Sequence, residues 1–237
     1  MIEEGQAPGA DGEGAEESSE EQQPKKKGSF WKELPILLGV AILVAIVVRT
    51  WVVQTYYIPS GSMENTLLIN DRVLVNKLVY DFSEPERGEI IVFTAPESWR
   101  SVMEEDEFIK RVVAVAGDHV ICCDDEGRIT VNGEPLDESS YLYTNPVTGE
   151  QDPPSQDPFD VVVPEGRLWV MGDHRSASGD SRERFIRTGG DVQSSTIPVD
   201  AVIGKAFVLF WPVDDFNWFA IPTTYGNVPD PSLGPFP

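Results

Sequence analysis

Apolar positions follow two different rhythms along this chain. From Leu34 to Val48 they run without a polar residue, and after Arg49 and Thr50 they resume at Trp51, Val52 and Val53. A helix needs about 20 residues of this kind to cross a bilayer core, and Leu34–Val53 supplies that length. The pattern predicts one N-terminal transmembrane helix, with the stem of Arg49 snorkelling towards headgroups and Trp51 at the interface. Beyond residue 54 the apolar runs shorten to strand length and turn residues separate them: Val73–Val79, Glu89–Phe93, Phe108–Ala116, His119–Ile121, Ile129–Val131, Leu168–Met171 and Val202–Phe210. Asn132-Gly133 between two such runs is a two-residue hairpin signal. Residues 137–160, rich in Asp, Pro, Ser and Asn, read as a surface excursion, and Pro-rich Ile221–Pro237 reads as an extended tail. The expected class is mostly β, with the folded domain over residues 54–220.

The flanks orient the apolar run. Residues 1–24 are rich in Glu, Gly, Ser and Gln and hold no aromatic residue, a composition that cannot bury a core. Lys25, Lys26, Lys27 and Lys32 follow, closing a segment 1–33 that reads as a tail with a basic juxtamembrane cluster. Lysines before the span and few after it place the N-terminus in the cytoplasm and the domain outside, since acidic residues count little in this rule. A cleaved secretory signal would have a shorter apolar core and small residues at its cut, whereas Arg-Thr-Trp-Val-Val follows here. A buried core helix would not need lysines on one flank.

Charge narrows the partners. The formal net charge is −22, and residues 34–237 alone hold 31 acids against 14 bases, a balance of −17. Binding to nucleic acid rests on phosphate neutralisation by Lys and Arg, so no nucleic-acid partner is expected. Cys122 and Cys123, the two cysteines, are adjacent. Neighbours rarely bridge and cannot supply a tetrahedral zinc site, so a structural pair is expected, with no metal and no cofactor.

Candidate chemistry centres on hydroxyls and a base. Ser62 lies in Ile58-Pro59-Ser60-Gly61-Ser62-Met63 just beyond the apolar run, and a serine hydroxyl needs an adjacent base to act as a nucleophile. The chain has two histidines. His119 alternates with apolar residues in a strand-like stretch, a structural setting, while His174 sits in a glycine-bounded loop. Lys110 is the alternative base. An unperturbed lysine has a pKa of about 10.4, and burial lowers it by disfavouring the ammonium form; Phe108, Ile109, Val112 and Val113 could provide such a setting. Taken one at a time, a lysine in a strand is usually a solvated surface residue and Ser-Gly-Ser a common turn.

Five blocks in order change that reading: Ile58–Met63; Asp71-Arg72-Val73-Leu74-Val75-Asn76-Lys77; Arg87-Gly88-Glu89-Ile90-Ile91-Val92-Phe93; Phe108 to Asp118; and Gly172-Asp173-His174-Arg175-Ser176-Ala177-Ser178-Gly179-Asp180-Ser181-Arg182. Behind an N-terminal anchor, this series closely resembles bacterial type I signal peptidase (leader peptidase, peptidase family S26) from the anchor to about residue 212. The resemblance implies an antiparallel β-sheet catalytic core with a small β cap at about 119–165, and a membrane-anchored serine endopeptidase that removes signal peptides from exported preproteins. It implies that Ser62 is the nucleophile, Lys110 the general base, and Ser60 a partner of the Ser62 backbone in the oxyanion hole. Ser178 would orient the lysine amine, and Asp180 with Arg182 would brace the loop. Ile58, Met63, Leu67 and Ile109 would line pockets for small side chains one and three residues before the cut; ordinary core packing is the alternative for these four. His174 matches a position that the family fills with various polar residues, which argues against a base there.

The resemblance further implies a bacterial cell-membrane location, secretory preproteins and the lipid bilayer as partners, and proximity to the protein-export channel. The acidic tail 1–24 departs from the family pattern, and Cys122-Cys123 does not match a spaced disulfide seen in some relatives. Phe210-Trp211-Pro212 and Phe216-Asn217-Trp218-Phe219 read either as core or as a surface dipping into lipid. Two rival readings remain at this stage: a self-cleaving repressor with related Ser–Lys chemistry, disfavoured by anchor and acidity, and a non-catalytic anchored acidic β domain.

Overall fold

The computed structural model describes residues 30–100 and 106–231. The acidic tail, the Lys25–Lys27 cluster and the last six residues lie outside that range. The chain divides into two compact units, 1–43 and 44–237. The described part of the first belongs to helix α1 (Phe30–Val47), whose side chains from Leu34 onward are exposed, Ile36 by 67% and Leu43 by 62%. Among the described residues no helix is long and apolar enough to cross a membrane. The helix also stops earlier than the apolar pattern predicts. A π-helical turn, Val48–Val52, ends it, and Val53 is already extended at φ −128° and ψ 130°. The reason lies in the residues that follow: Val53 to Tyr57 alternate and pair as a strand, which recruits the end of the apolar run into a sheet.

The second unit is built on antiparallel pairing. Its strands are β1 (Val53–Tyr57), β2 (Arg72–Asn76), β3 (Ile90–Thr94), β4 (Glu107–Ala114), β5 (His119–Cys122), β6 (Ile129–Val131), β7 (Glu134–Pro135), β8 (Phe159–Val162), β9 (Arg167–Met171), β10 (Ile197–Pro198), β11 (Val202–Trp211) and β12 (Asn217–Trp218). The larger sheet runs β1-β2-β11-β3-β4-β9-β10, with β12 added on β11; the smaller runs β7-β6-β5-β8. Two short helices, α2 (Ser181–Arg187) and α3 (Val192–Ser195), follow β9. The smaller sheet spans the segment expected as a cap. Its β6–β7 hairpin turns at Asn132 and Gly133, with φ of 53° and 82°, and pairs Val131 with Glu134. Both central residues have the positive φ that a type I′ turn requires.

Alternation sorts the core. On β3, Ile90 and Val92 pack with Ile58, Met63, Leu67, Val73 and Val75, while Ile91 and Phe93 pack on the other side with Trp99, Leu168 and Val170. A third group joins the smaller sheet to the β4–β9 end through Val120, Ile129, Val131, Phe159, Val161, Trp169 and Met171. The described part of the Pro-rich end, residues 221–231, contributes to that group. Thr223–Asn227 forms a 3-10 turn, Tyr225 and Val228 are buried, and the Asn132 amide donates to the Pro229 carbonyl at 2.9 Å. Two apolar side chains among the prolines are enough to dock the segment. Cys122 and Cys123 are joined to one another in the structure, against the expectation for adjacent cysteines.

Candidate active site

Ser62 is held by what lies on either side of it. The Ile58 N–H donates to the Asp71 carbonyl at 2.9 Å, and the Asn70 N–H returns to the Ile58 carbonyl at 2.9 Å, closing the loop after β1. Within it, Glu64 N donates to Gly61 O at 3.0 Å and Leu67 N to Met63 O at 2.8 Å. Ile58, Met63 and Leu67, all 0–1% exposed, plug this turn into the core. An apolar–polar–apolar spacing therefore sinks three side chains and leaves the serine between them at the surface of the core.

Lys110 comes from the middle of β4, where it pairs with Ile91. It is 4% exposed and Ser62 is 7% exposed. Lys110 Nζ lies 2.7 Å from Ser62 Oγ, donates to the Ile109 carbonyl at 2.9 Å, and sits 5.5 Å from the centre of the Phe108 ring. The two residues are 48 apart in sequence, and the fold brings them into hydrogen-bond contact. A hydroxyl within this reach of a buried amine can lose its proton to it when the amine is neutral.

The segment after β9 closes the other side. A Cβ on Gly172 would lie 2.4 Å from the Ser62 carbonyl oxygen and 2.3 Å from Ser178 Oγ, so only glycine permits the approach. Ser178 is buried, and its hydroxyl makes no hydrogen bond among the described residues; the expected bond to the Lys110 amine is not made in this state. Asp180 caps α2 by accepting from Glu183 N at 3.3 Å, also accepts from Gly172 N at 3.2 Å, and lies 3.4 Å from Arg182 Nε. Arg182 Nη2 donates to the Arg175 carbonyl at 2.6 Å. These contacts tie the ends of the loop together.

The His174 ring has other partners. Its Nδ1 lies 2.9 Å from Glu64 Oε2 and 3.1 Å from the Gly61 carbonyl, and its backbone N–H donates to the Ser62 carbonyl at 3.1 Å. His119, the other histidine, pairs with Asp160 across β5 and β8 at 2.6 Å.

An open cleft of about 390 Å³ lies over Ser62 and Lys110, lined also by Pro59, Ser60, Ile109 and Ala177 among others. Ser60 is exposed at its edge. Of the four residues expected to line substrate pockets, Ile109 faces the cleft, whereas Ile58, Met63 and Leu67 lie behind the surface in the core.

A buried polar network escaped the sequence reading. Arg111 Nε and Nη2 grip the two carboxylate oxygens of Asp173 at 2.9 and 2.6 Å, Nη1 donates to the Gly88 carbonyl at 2.9 Å, and the guanidinium lies 4.3 Å from the centre of the Tyr141 ring. Thr66 Oγ1, from the serine turn, donates to Asp173 Oδ2 at 2.5 Å. Beside it, Arg175 binds Glu138 at 2.5 and 3.1 Å, and Tyr141 Oη donates to Glu138 Oε1 at 2.7 Å. Burial alone would pull the Arg111 guanidinium down; the Asp173 charge and hydrogen bonds outweigh it and hold the group above its ordinary value. Burial, helped by the Glu138 carboxylate, likewise pushes the Tyr141 hydroxyl up. One sequence signal was available: Arg111 interrupts an apolar strand, and a buried guanidinium requires a partner because it cannot shed its proton.

Comparison with known proteins bears on this geometry. The sequence matches the family described as "Signal peptidase, peptidase S26" over residues 31–211. A protein of Mycobacterium leprae named probable signal peptidase I is 41% identical over 233 residues, covering 80% of this chain and 79% of its own. Signal peptidase I of Mycobacterium tuberculosis is 37% identical over 243 residues, covering 87% and 81%. Signal peptidase IB of Staphylococcus aureus is 31% identical over 192 residues, covering 77% and 91%.

Proposed function

Because the chain belongs to the signal peptidase family, peptidase S26, and is thus a serine endopeptidase acting on preproteins with signal peptides, we propose that it cuts them with a dyad of Ser62 and Lys110. The observation that carries this reading is the 2.7 Å separation of Ser62 Oγ and Lys110 Nζ inside a cleft.

In this mechanism neutral Lys110 takes the Ser62 proton as Oγ attacks the scissile carbonyl. The Ser62 N–H and the Ser60 hydroxyl bind the oxygen that becomes negative, donors whose loss costs about 3–4 kcal/mol of barrier in other acyl-transfer sites. The lysine ammonium then protonates the departing amine, and the mature chain leaves. Water attacks the acyl-enzyme, gives its proton to Lys110, and the proton returns to Ser62 as the signal peptide is released. Ser178, whose hydroxyl is buried and uncommitted, orients the amine during this cycle. Asp180 and Arg182 keep the loop that carries Ser178 in place.

Specificity for small side chains one and three residues before the cut follows from a wall that cannot yield. Ile109 fronts the cleft, and Ile58, Met63 and Leu67 behind it are close-packed core residues. The exposed apolar side chains of α1 support a membrane anchor, the lysines before it in sequence argue for the domain on the extracytoplasmic side, and exposed Trp211, Phe216 and Trp218 supply an interfacial aromatic surface.

The test is processing of a preprotein with an Ala-X-Ala site by full-length enzyme in detergent. Ser62→Ala and Lys110→Ala should each abolish cleavage with unchanged thermal unfolding. Retained cleavage by either variant refutes its assigned role. The base must be neutral, and desolvation favours the neutral amine, so activity should rise with pH through an apparent pKa well below the roughly 10.4 of free lysine. A rate still climbing near that value, with no lower inflection, would contradict the base.

A further inference from the structure

We propose that His174 is a positioning residue that clamps the turn carrying the nucleophile; this rests on the Ser62–Lys110 reading. The two partners of the dyad are held very differently. Lys110 stands in the middle of a strand paired on both sides, by β3 and by β9. Ser62 stands on a turn, so its position depends on what grips that turn.

His174 grips it at two consecutive carbonyls. Its backbone N–H donates to Ser62 O at 3.1 Å, and ring Nδ1 lies 3.1 Å from Gly61 O. The same Nδ1 lies 2.9 Å from Glu64 Oε2. Both facing groups are acceptors, so Nδ1 carries a hydrogen whether the ring is neutral or charged. Gly61 O already accepts the Glu64 N–H at 3.0 Å, and the ring adds a second donor to the carbonyl that closes the turn. The Glu64 carboxylate folds back over Gly61, close enough that a Cβ there would meet it at 2.9 Å.

The ring has its own support. It stacks on Tyr143 with centres 3.8 Å apart and planes at 22°. Tyr143 is fixed in turn, its N–H donating to Asp173 O at 3.0 Å and its carbonyl accepting from Asp152 N at 2.8 Å. With side-chain exposures of 14% for His174 and 26% for Glu64, the pair is shielded enough to hold a geometry. What it supplies is aim. A reacting atom displaced by about 1 Å can lose some hundredfold in rate.

The experiment compares His174→Ala, His174→Asn and Glu64→Ala as full-length enzymes in preprotein cleavage, with thermal unfolding measured on each. Asn places an amide Nδ2 where Nδ1 sits, the same number of bonds from Cα, and so keeps the donor. His174→Ala should lower kcat by about ten- to a hundredfold with KM little changed, and His174→Asn should recover most of that loss. Glu64→Ala, a milder change on a partly exposed residue, should lower kcat less, and the His174→Ala/Glu64→Ala pair should be no slower than His174→Ala alone. Parental kcat in His174→Ala, or equal loss in the Ala and Asn variants, overturns the clamp. Should His174→Ala not fold, His174→Leu, which keeps an apolar side chain beside Tyr143 and removes the ring donor, takes its place, and parental kcat in it would overturn the clamp instead. A Ser62→Ala enzyme that still cleaves sinks both readings; a dead Ser62→Ala beside a full-speed His174→Ala sinks the clamp alone.

Discussion

Lys110 and Arg111 are neighbours on β4, and strand alternation sends them to opposite faces of one sheet. Both are buried, at 4% and 3% exposure. On the Lys110 face the amine meets a serine hydroxyl, a backbone carbonyl and the Phe108 ring. On the Arg111 face the guanidinium meets both oxygens of a fully buried carboxylate, with a carbonyl and a tyrosine ring completing its surroundings. The difference follows from proton chemistry. An amine can answer desolvation by giving up its proton, which makes it a base; a guanidinium cannot, and must be compensated where it lies. On the proposed mechanism, one strand thus carries a proton acceptor for chemistry and a permanent cation for architecture, one residue apart.

Four substitutions probe that contrast. Lys110→Met should cut processing by at least about 10²–10⁴-fold, the usual worth of a general base, while the urea midpoint stays near that of the parent. A marked loss of stability would mean that the lysine is architectural too. Asp173→Ala should do the reverse, lowering unfolding free energy by about 3–5 kcal/mol because Arg111 is left buried without its counter-charge; chemical denaturation measures it. A near-neutral result would show that the Arg111 face is not a structural brace. Gly172→Ala crowds the Lys110 face, since the new methyl meets the Ser62 carbonyl and the Ser178 hydroxyl. It should cost about 1–3 kcal/mol by overpacking and slow cleavage by folded enzyme as well, measurable by pairing calorimetry with initial rates. Tyr225→Phe removes only the partner hydroxyl of Tyr141, 2.9 Å away, and should cost about 1 kcal/mol with no change in kcat.

Much of the sheet was legible because its strands advertise themselves locally. Ile129–Val131 with Asn132-Gly133 states a strand, a turn and a register within a few residues, and β11 reads as a long apolar run. β1 was hidden because Val53 closes an apolar stretch long enough to look like continued helix. β8 was hidden in a segment whose Asp and Pro content signals a loop, although Phe159 and Val161 alternate inward with Asp160 and Val162 outward. For the site, residue type and order singled out Ser62 and Lys110 only through the resemblance. The contact itself, like the pairs Arg111–Asp173 and Arg175–Glu138, joins positions 37 to 62 residues apart, where no periodicity reaches. Buried acids and bases also look like solvated ones until the chain closes around them. Tyr225 shows the converse, an aromatic among prolines whose docking partner, Tyr141, lies 84 residues upstream.

The pairing of Lys110 with Ile91 has a consequence for how this chain tolerates change. Side chains along a strand swap sides at every step, so a slip of β4 by a single position would set either Arg111 or Ile109, according to its direction, where Lys110 now faces Ser62. Neither a guanidinium nor an isoleucine can take a proton from the alcohol, so on the proposed mechanism either slip would silence the serine. An insertion or deletion in the segment between β3 and β4 is absorbed only if the ladder itself does not move; alignment along the sheet is as much a chemical requirement here as the identity of either residue.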